Sequence, residues 1–264
     1  MKLKNETILI TGGTSGIGLA FAIRLMSMGN TVIIVGRSQS KLDTLLAKYP
    51  KLHGIAADVS QPKDVQALAD TLNHDFPKLT IILNSAGIMR QYDLFDSKIA
   101  LPDLTAEIQT NLYGTIYVTK SLLPLLQKQP EAMIVNVSSL LALMSVADSP
   151  IYSASKTGVH MYTDALREQI RAKGLNIHVL ELLPPLVTET NLTSQYDNDR
   201  LTKMVSSPLS KLVDAGIKGM AKNRLQVNVG FTAVLRQFMK IMPNTITHIW
   251  GKQTLTAFFK KDTH

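Results

Sequence analysis

The sequence predicts a doubly wound α/β fold in a single domain, a seven-stranded parallel sheet with helices on both faces. Three observations carry that prediction. Short β-branched runs alternate with longer amphipathic segments along most of the chain, as strands joined by crossover helices do. Several of the runs are apolar almost throughout, as strands covered on both faces must be. A glycine-rich turn follows the first run directly, which makes the expected sheet Rossmann-type.

The seven runs are TILIT (7–11), TVIIVG (31–36), HGIAAD (53–58), TIILNS (80–85), AMIVNVS (132–138), NIHVLEL (176–182) and LQVNV (225–229). Helix ends are marked between them. Gly29-Asn30 closes the first helix, and Ser40 with Asp43 resembles a capping box for the second. Gly174 closes a helix that begins near Tyr152. The longest helices are expected at about 103–127 and 151–173. Residues 184–210, rich in Pro, Thr, Ser and Asn, read as a substrate loop. There is no repeat, low-complexity tract or linker.

Composition excludes several function classes. With 264 residues and 45% apolar content the chain can bury a substantial core. It has no cysteine, which excludes disulfides, thiolate nucleophiles and cysteine-ligated zinc. The six histidines show no metal-ligand spacing. The first apolar run passes straight into glycines and is no signal peptide, and no run is long enough to span a bilayer. A soluble, cytoplasmic protein is expected.

The glycine turn reads Thr11-Gly12-Gly13-Thr14-Ser15-Gly16-Ile17-Gly18, with helix pattern after it. Glycines let backbone approach a pyrophosphate, whose charge sits at the positive end of the following helix. Gly12, Thr14, Ser15, Gly16, Ile17 and Gly18 are therefore candidate cofactor residues. The second run ends Val35-Gly36-Arg37-Ser38, with no carboxylate until Asp43. An NAD site usually has an acid there for the ribose hydroxyls, whereas Arg37 can grip a 2′-phosphate bidentately and Ser38 can donate to it. NADP is favoured over NAD. A further oddity is Tyr152, the one tyrosine with a lysine, Lys156, four residues later on the same helix face.

In this order and spacing the motifs resemble those of the short-chain dehydrogenase/reductase family over about residues 5–190. TGGTSGIG fits its TGxxxGxG, and Asp58-Val59 fits its adenine-contacting pair. Asn84-Ser85-Ala86-Gly87 fits its NNAG with Ser85 in place of an Asn. Ser139 stands 13 residues before Tyr152, and Lys156 completes YxxxK. The resemblance implies Ser139, Tyr152, Lys156 and Asn111 as catalytic residues. Tyr152 would be the acid/base, and Ser139 would hold the substrate oxygen. Lys156 would bind the nicotinamide ribose, and Asn111 would hold a water that relays protons to Lys156. It adds Asp58, Val59, Asn84, Ala86, Gly87, Pro184 and Val187 to the cofactor contacts. Pro184-Pro185-Leu186-Val187 departs from the family's Pro-Gly-x-Val, and Pro185 has no N–H to offer.

The implied activity is hydride transfer between NADP(H) and a carbonyl or secondary alcohol. The substrate is expected to be small and apolar, because Ile88, Leu140, Leu141, Leu143, Met144 and Leu186 flank the catalytic residues in sequence. The alternative is a non-catalytic NADP-sensing protein on the same fold, a class that commonly loses the Tyr or Lys. The family pairs through its long helices, so a homodimer or homotetramer is expected.

The formal charge of +8 is unevenly placed: residues 200–264 hold 11 basic and 2 acidic groups. No recognition motif accompanies this excess, so nucleic-acid binding is not expected. The domain is expected to span residues 1–230, with 231–264 as a basic amphipathic extension. In that extension Phe231, Val234, Leu235, Phe238, Met239 and Met242 form an apolar stripe, and Trp250, Phe258-Phe259 and Lys260-Lys261 lie beyond it. The extension packs on the domain or a partner subunit, or else touches an anionic membrane at its surface.

Overall fold

All seven runs are strands in the computed structural model, which describes residues 1–187, 189–190 and 206–230, with 248, 251 and 255. They are β1 (Thr7–Thr11), β2 (Thr31–Gly36), β3 (Leu52–Ala56), β4 (Leu79–Asn84), β5 (Ala132–Val137), β6 (Ile177–Leu183) and, after two short strands, β9 (Gln226–Asn228). The order is β3-β2-β1-β4-β5-β6-β9, and every pair is parallel. The chain runs outward from β1 to β3 and returns to β4 on the other side. The crevice between β1 and β4, at their carboxyl ends, is the topological switch point where ligands of such sheets bind.

Alternate residues of each strand feed two cores, because successive side chains point to opposite faces. On one face Ile8, Ile10, Ile34, Leu83 and Leu182 pack with Phe21 and Leu25 of α1 (Gly16–Ser27) and with Leu212 and Met220 of α7 (Leu209–Ala221). On the other, Leu9, Ile33, Ile82 and Ile134 meet α3 (Pro62–Asp75), α5 (Gly114–Leu126) and α6 (Pro150–Ala172). Gly29 and Gly174 end their helices at φ of 86° and 63°, the left-handed conformation glycine adopts without strain.

Three local features differ from the sequence expectation. The cap of α2 (Gln39–Lys48) is Ser38, whose hydroxyl accepts from Lys41 N at 3.4 Å. Ser40 lies inside the helix, because only two residues separate β2 from α2. The expected helix at 103–127 is α4 (Leu101–Glu107) joined to α5 through a π-helical turn, Ile108–Tyr113. The stretch expected to be a substrate loop is joined near its ends by a two-residue parallel pair, β7 (Leu186–Val187) with β8 (Ser206–Ser207). Positions 188 and 191–205 lie outside the described residues, as do the apolar stripe at 231–242 and the aromatic and basic residues beyond it. Among the described residues no helix is long and apolar enough to cross a membrane.

Helix α7 lies close on the sheet because Gly219 faces Val227 of β9. A Cβ there would sit 2.3 Å from Val227 Cγ2. Gly219→Ala gains helix propensity of about 1 kcal/mol. Overpacking costs about 1–3 kcal/mol, and buried, β-branched Val227 has little freedom to yield. The variant should be less stable, with a lower urea midpoint; an unchanged or higher midpoint would contradict the packing account.

Candidate active site

The glycine turn is shaped by contact as well as by conformation. Gly12 has φ of +65°, and a Cβ on it would lie 2.7 Å from Ala86 Cα. On Gly18 a Cβ would lie 2.4 Å from the Gly12 carbonyl oxygen. Thr11 clips the end of β4 to this turn, its hydroxyl accepting from Ser85 N (3.1 Å) and Ala86 N (3.2 Å). Ser15 caps α1 without a side-chain cap bond, so the first N–H groups of a twelve-residue helix point at the crevice.

The crevice is a cleft of about 560 Å³. Gly12, Thr14, Ser15, Gly16, Ile17 and Gly18 form one wall. Arg37, Ser38, Asp58 and Val59 line the cleft as expected, and so do Ala86, Gly87, Ile88, Tyr152, Lys156 and Pro184. Lys41 and Thr190 are among the lining residues that the sequence reading did not single out, with Met89, Arg90 and Thr110. Lys41, in the first turn of α2, joins Arg37, and among the described residues no carboxylate pairs with either cation. Its signal was available, since it lies three residues past the capping Ser38. Thr190 stands against Gly16, where a Cβ would be 3.4 Å from its methyl. Its hydroxyl donates to Val187 O at 3.0 Å.

Two expected cofactor contacts are placed elsewhere. Asn84 is buried in the core, where its amide donates to Asn136 Oδ1 (2.9 Å) and Thr119 Oγ1 (3.1 Å). As the last residue of β4 it points toward the α5 and α6 side, and Ser85 reaches the cleft in its place. Val187 is buried too, its carbonyl taken by Thr190.

The catalytic candidates arrive from three elements. Ser139 follows β5 in extended conformation and caps the single 3-10 turn Leu140–Ala142, accepting from Leu141 N at 3.1 Å. Its hydroxyl stands close enough to the Tyr152 phenol to work against the rise in that group's pKa. Neighbouring Ser138 turns away and donates to buried Glu181 at 2.6 Å, so Ser139 is the serine beside Tyr152. On α6, Tyr152 is 6% exposed and Lys156 is 4% exposed. Lys156 Nζ donates to Val137 O at 2.9 Å and lies 5.7 Å from the Tyr152 ring centre. Asn111, in the π turn, does not hold a relay water through its amide hydrogens. They go to Ile88 O (2.9 Å) and Ser155 Oγ (2.9 Å), while Oδ1 accepts from Ile88 N (2.8 Å). Of the expected apolar wall, Ile88 lines the cleft, whereas Leu140 and Met144 are buried.

Electrostatics in this group are set by dryness. Burial pushes the Tyr152 phenol up to about 12; the Ser139 hydroxyl works against this and nearby Glu107 adds to it. Burial lowers Lys156 to about 8. The protein groups alone therefore do not produce the lowered phenol that a stacked ammonium suggests, because Nζ bonds a backbone carbonyl and faces the ring.

Comparison with known proteins agrees with this geometry. The model of the short chain dehydrogenase family matches residues 6–201. The uncharacterized oxidoreductase DltE of Bacillus subtilis (strain 168) is 37% identical over 202 residues, covering 76% of this chain and 79% of that protein. A short chain dehydrogenase/reductase from Burkholderia phymatum, solved in complex with NAD, superposes with a TM-score of 0.77 at 23% identity, covering 92% of this chain and 97% of the other. A variant of actinorhodin polyketide ketoreductase, solved with NADPH, superposes with a TM-score of 0.76 at 26% identity over 87% of this chain and 97% of the other. A parallel sheet with a glycine turn at its switch point, and a family match across three quarters of the chain, lead to one conclusion: the protein belongs to the short chain dehydrogenase family and is a hydride-transfer oxidoreductase.

Proposed function

We propose that the protein is an NADP(H)-dependent carbonyl reductase or alcohol dehydrogenase, with Tyr152 as its general acid/base. The observation that carries this reading is the meeting of Ser139, Tyr152 and Lys156, all buried, beside a cleft that also presents Arg37 and Lys41, which have no acidic partner among the described residues. Relatives of this fold hold NAD or NADPH, so the fold does not choose between them. Residues at the end of β2 support NADP. Arg37 and Lys41 attract a 2′-phosphate, and among the described residues no carboxylate pairs with either.

The cleft fits a dinucleotide, because a Cβ on Gly12 or Gly18 would close the turn against backbone. The turn and the start of α1 would hold the pyrophosphate, Asp58 and Val59 the adenine, and Arg37, Ser38 and Lys41 the 2′-phosphate. Lys156 would hold the nicotinamide ribose, with Pro184 and Thr190 near the ring. When bound, the cofactor supplies or accepts the hydride. The rest falls to the protein. With its pKa near 12, Tyr152 stays protonated at neutral pH and is ready to give its proton to a carbonyl oxygen. Ser139 orients that oxygen and stabilises the charge developing on it. Lys156 keeps a positive charge near the phenolate that remains. A phenol with a pKa near 12 carries its proton at neutral pH, the form that ketone reduction requires, although it is a weaker acid than a free tyrosine. No observation favours the non-catalytic alternative.

Tyr152→Phe keeps the ring and removes the proton. Ketone turnover should fall at least about a hundredfold, the lower end for general acid/base catalysis, with NADPH affinity unchanged. Near-normal turnover in the variant would refute the assignment of Tyr152.

The cofactor choice is tested by affinity. A charge-assisted hydrogen bond contributes about 1.5–3 kcal/mol, so NADPH should bind at least about tenfold more tightly than NADH. Arg37→Ala should remove most of that margin and leave NADH affinity as it was. Fluorescence titration with both cofactors measures this, and equal affinities in the parent protein would overturn the preference.

A further inference from the structure

Glu107 belongs to none of the motifs above, yet it is fully buried at the end of α4. Four residues later the π turn carries Asn111, and both side chains meet the same stretch of the connection between β4 and α4. Asn111 holds both backbone groups of Ile88, while Glu107 Oε1 accepts from the Arg90 amide at 2.9 Å. Amides two residues apart in an extended segment point the same way and repeat at about 6.6 Å, close to the roughly 6 Å that four helical residues span. Two side chains of one helix thus stand where a neighbouring strand would stand and take alternate amides of the segment. Its next amide of the same parity, on Tyr92, donates to Asp148 O at 2.9 Å, just before the helix that carries Tyr152.

This segment forms part of the cleft. Ile88, Met89 and Arg90 line it, and Gly87 next to them packs so near Lys156 that a Cβ would lie 3.5 Å from Nζ. The second Glu107 oxygen is buried and has no hydrogen-bond partner among the described residues, so apolar packing is a poor account of a carboxyl at this place. Burial raises its pKa, which the Arg90 amide, the nearby Tyr92 hydroxyl and the Arg90 charge partly offset.

We propose that Glu107 is a positioning residue: by holding the Arg90 amide beside the Asn111 clamp on Ile88, it sets the wall of the cleft next to Tyr152. The effect on turnover rests on the reductase reading above; the effect on the wall does not. The two are separated by pairing amide hydrogen exchange, which needs no substrate, with ketone kinetics.

In the parent protein the Ile88 and Arg90 amides should exchange at least about tenfold more slowly than that of Gln91, the equivalent of one net hydrogen bond. Glu107→Leu should speed exchange at Arg90 by about tenfold and leave β1 and α7 unchanged, whereas Glu107→Gln, which keeps an acceptor oxygen, should stay near the parent. For ketone reduction, Glu107→Leu should raise KM several-fold with a smaller effect on kcat, and Glu107→Gln should restore KM. Fast exchange at Arg90 in the parent, or equal Arg90 exchange in the parent and Glu107→Leu, would overturn the proposal. So would loosened exchange with unchanged KM. Should the protein reduce no ketone at all, the exchange pattern still decides the role of Glu107 in the wall.

Discussion

Burying an ammonium beside a phenol, at the carboxyl ends of the sheet, is the constraint on which the site depends. Water would stabilise the Lys156 charge far better than a single carbonyl does, and the loss shows in a pKa lowered to about 8. The protein meets that cost with a bond from Nζ to Val137 O. The same dryness holds Tyr152 protonated. Burial thus brings the Lys156 ammonium closer to its change of state and takes the Tyr152 phenol further from it, so ionising Tyr152 needs a further positive charge in the site.

Holding these groups in place falls to buried polar side chains rather than to the apolar core. Thr11 ties the glycine turn to the end of β4. Asn84 links β4 to β5 through Asn136, whose amide goes on to Thr163 of α6 at 3.0 Å. Glu181 on β6 gathers Ser138, His160 and Gln226. Burial alone would raise its pKa, but those bonds outweigh it and hold the carboxyl below its ordinary value. Each tie fixes a strand end or a helix against the sheet, so Ser139 and Tyr152 meet at a set distance from the cleft. Apolar packing, being non-directional, could not supply that register.

Much of this was legible in the sequence, for identifiable reasons. Buried parallel strands are apolar almost throughout, which made the central runs such as TILIT and TVIIVG readable. The edge strands β3 and β9 carry polar residues and were read from their place in the alternation. The glycine turn was readable because positive φ and close backbone approach admit few other residues. Ser139, Tyr152 and Lys156 were found by their spacing, and they meet. Asn84 was misread because an Asn at a strand end serves a cofactor or a core ladder equally well, and only its direction decides. The π turn left no mark in IQTNLY, a stretch with ordinary helix composition. Glu107 looked like any surface acid of an amphipathic helix, since burial follows from what the β4–α4 connection does above it. Ser38, Ser40 and Lys41 differ by a few positions at a helix start, the margin within which sequence reading places helix ends.

Tyr152 is a buried phenol, and the positive nicotinamide ring of NADP⁺ would favour its ionised form, so its proton should become mobile when the dinucleotide site is filled. Tyrosinate absorbance, titrated as the difference between the parent and Tyr152→Phe, isolates this group. In the free protein no phenolate from Tyr152 should appear up to roughly pH 10.5, where an ordinary tyrosine is more than half ionised, because burial holds it near 12. With saturating NADP⁺ the same difference signal should appear well below pH 10, at least about two units lower, equivalent to about 2.7 kcal/mol. A free-protein midpoint at or below 10, or the same midpoint with and without NADP⁺, would contradict the account.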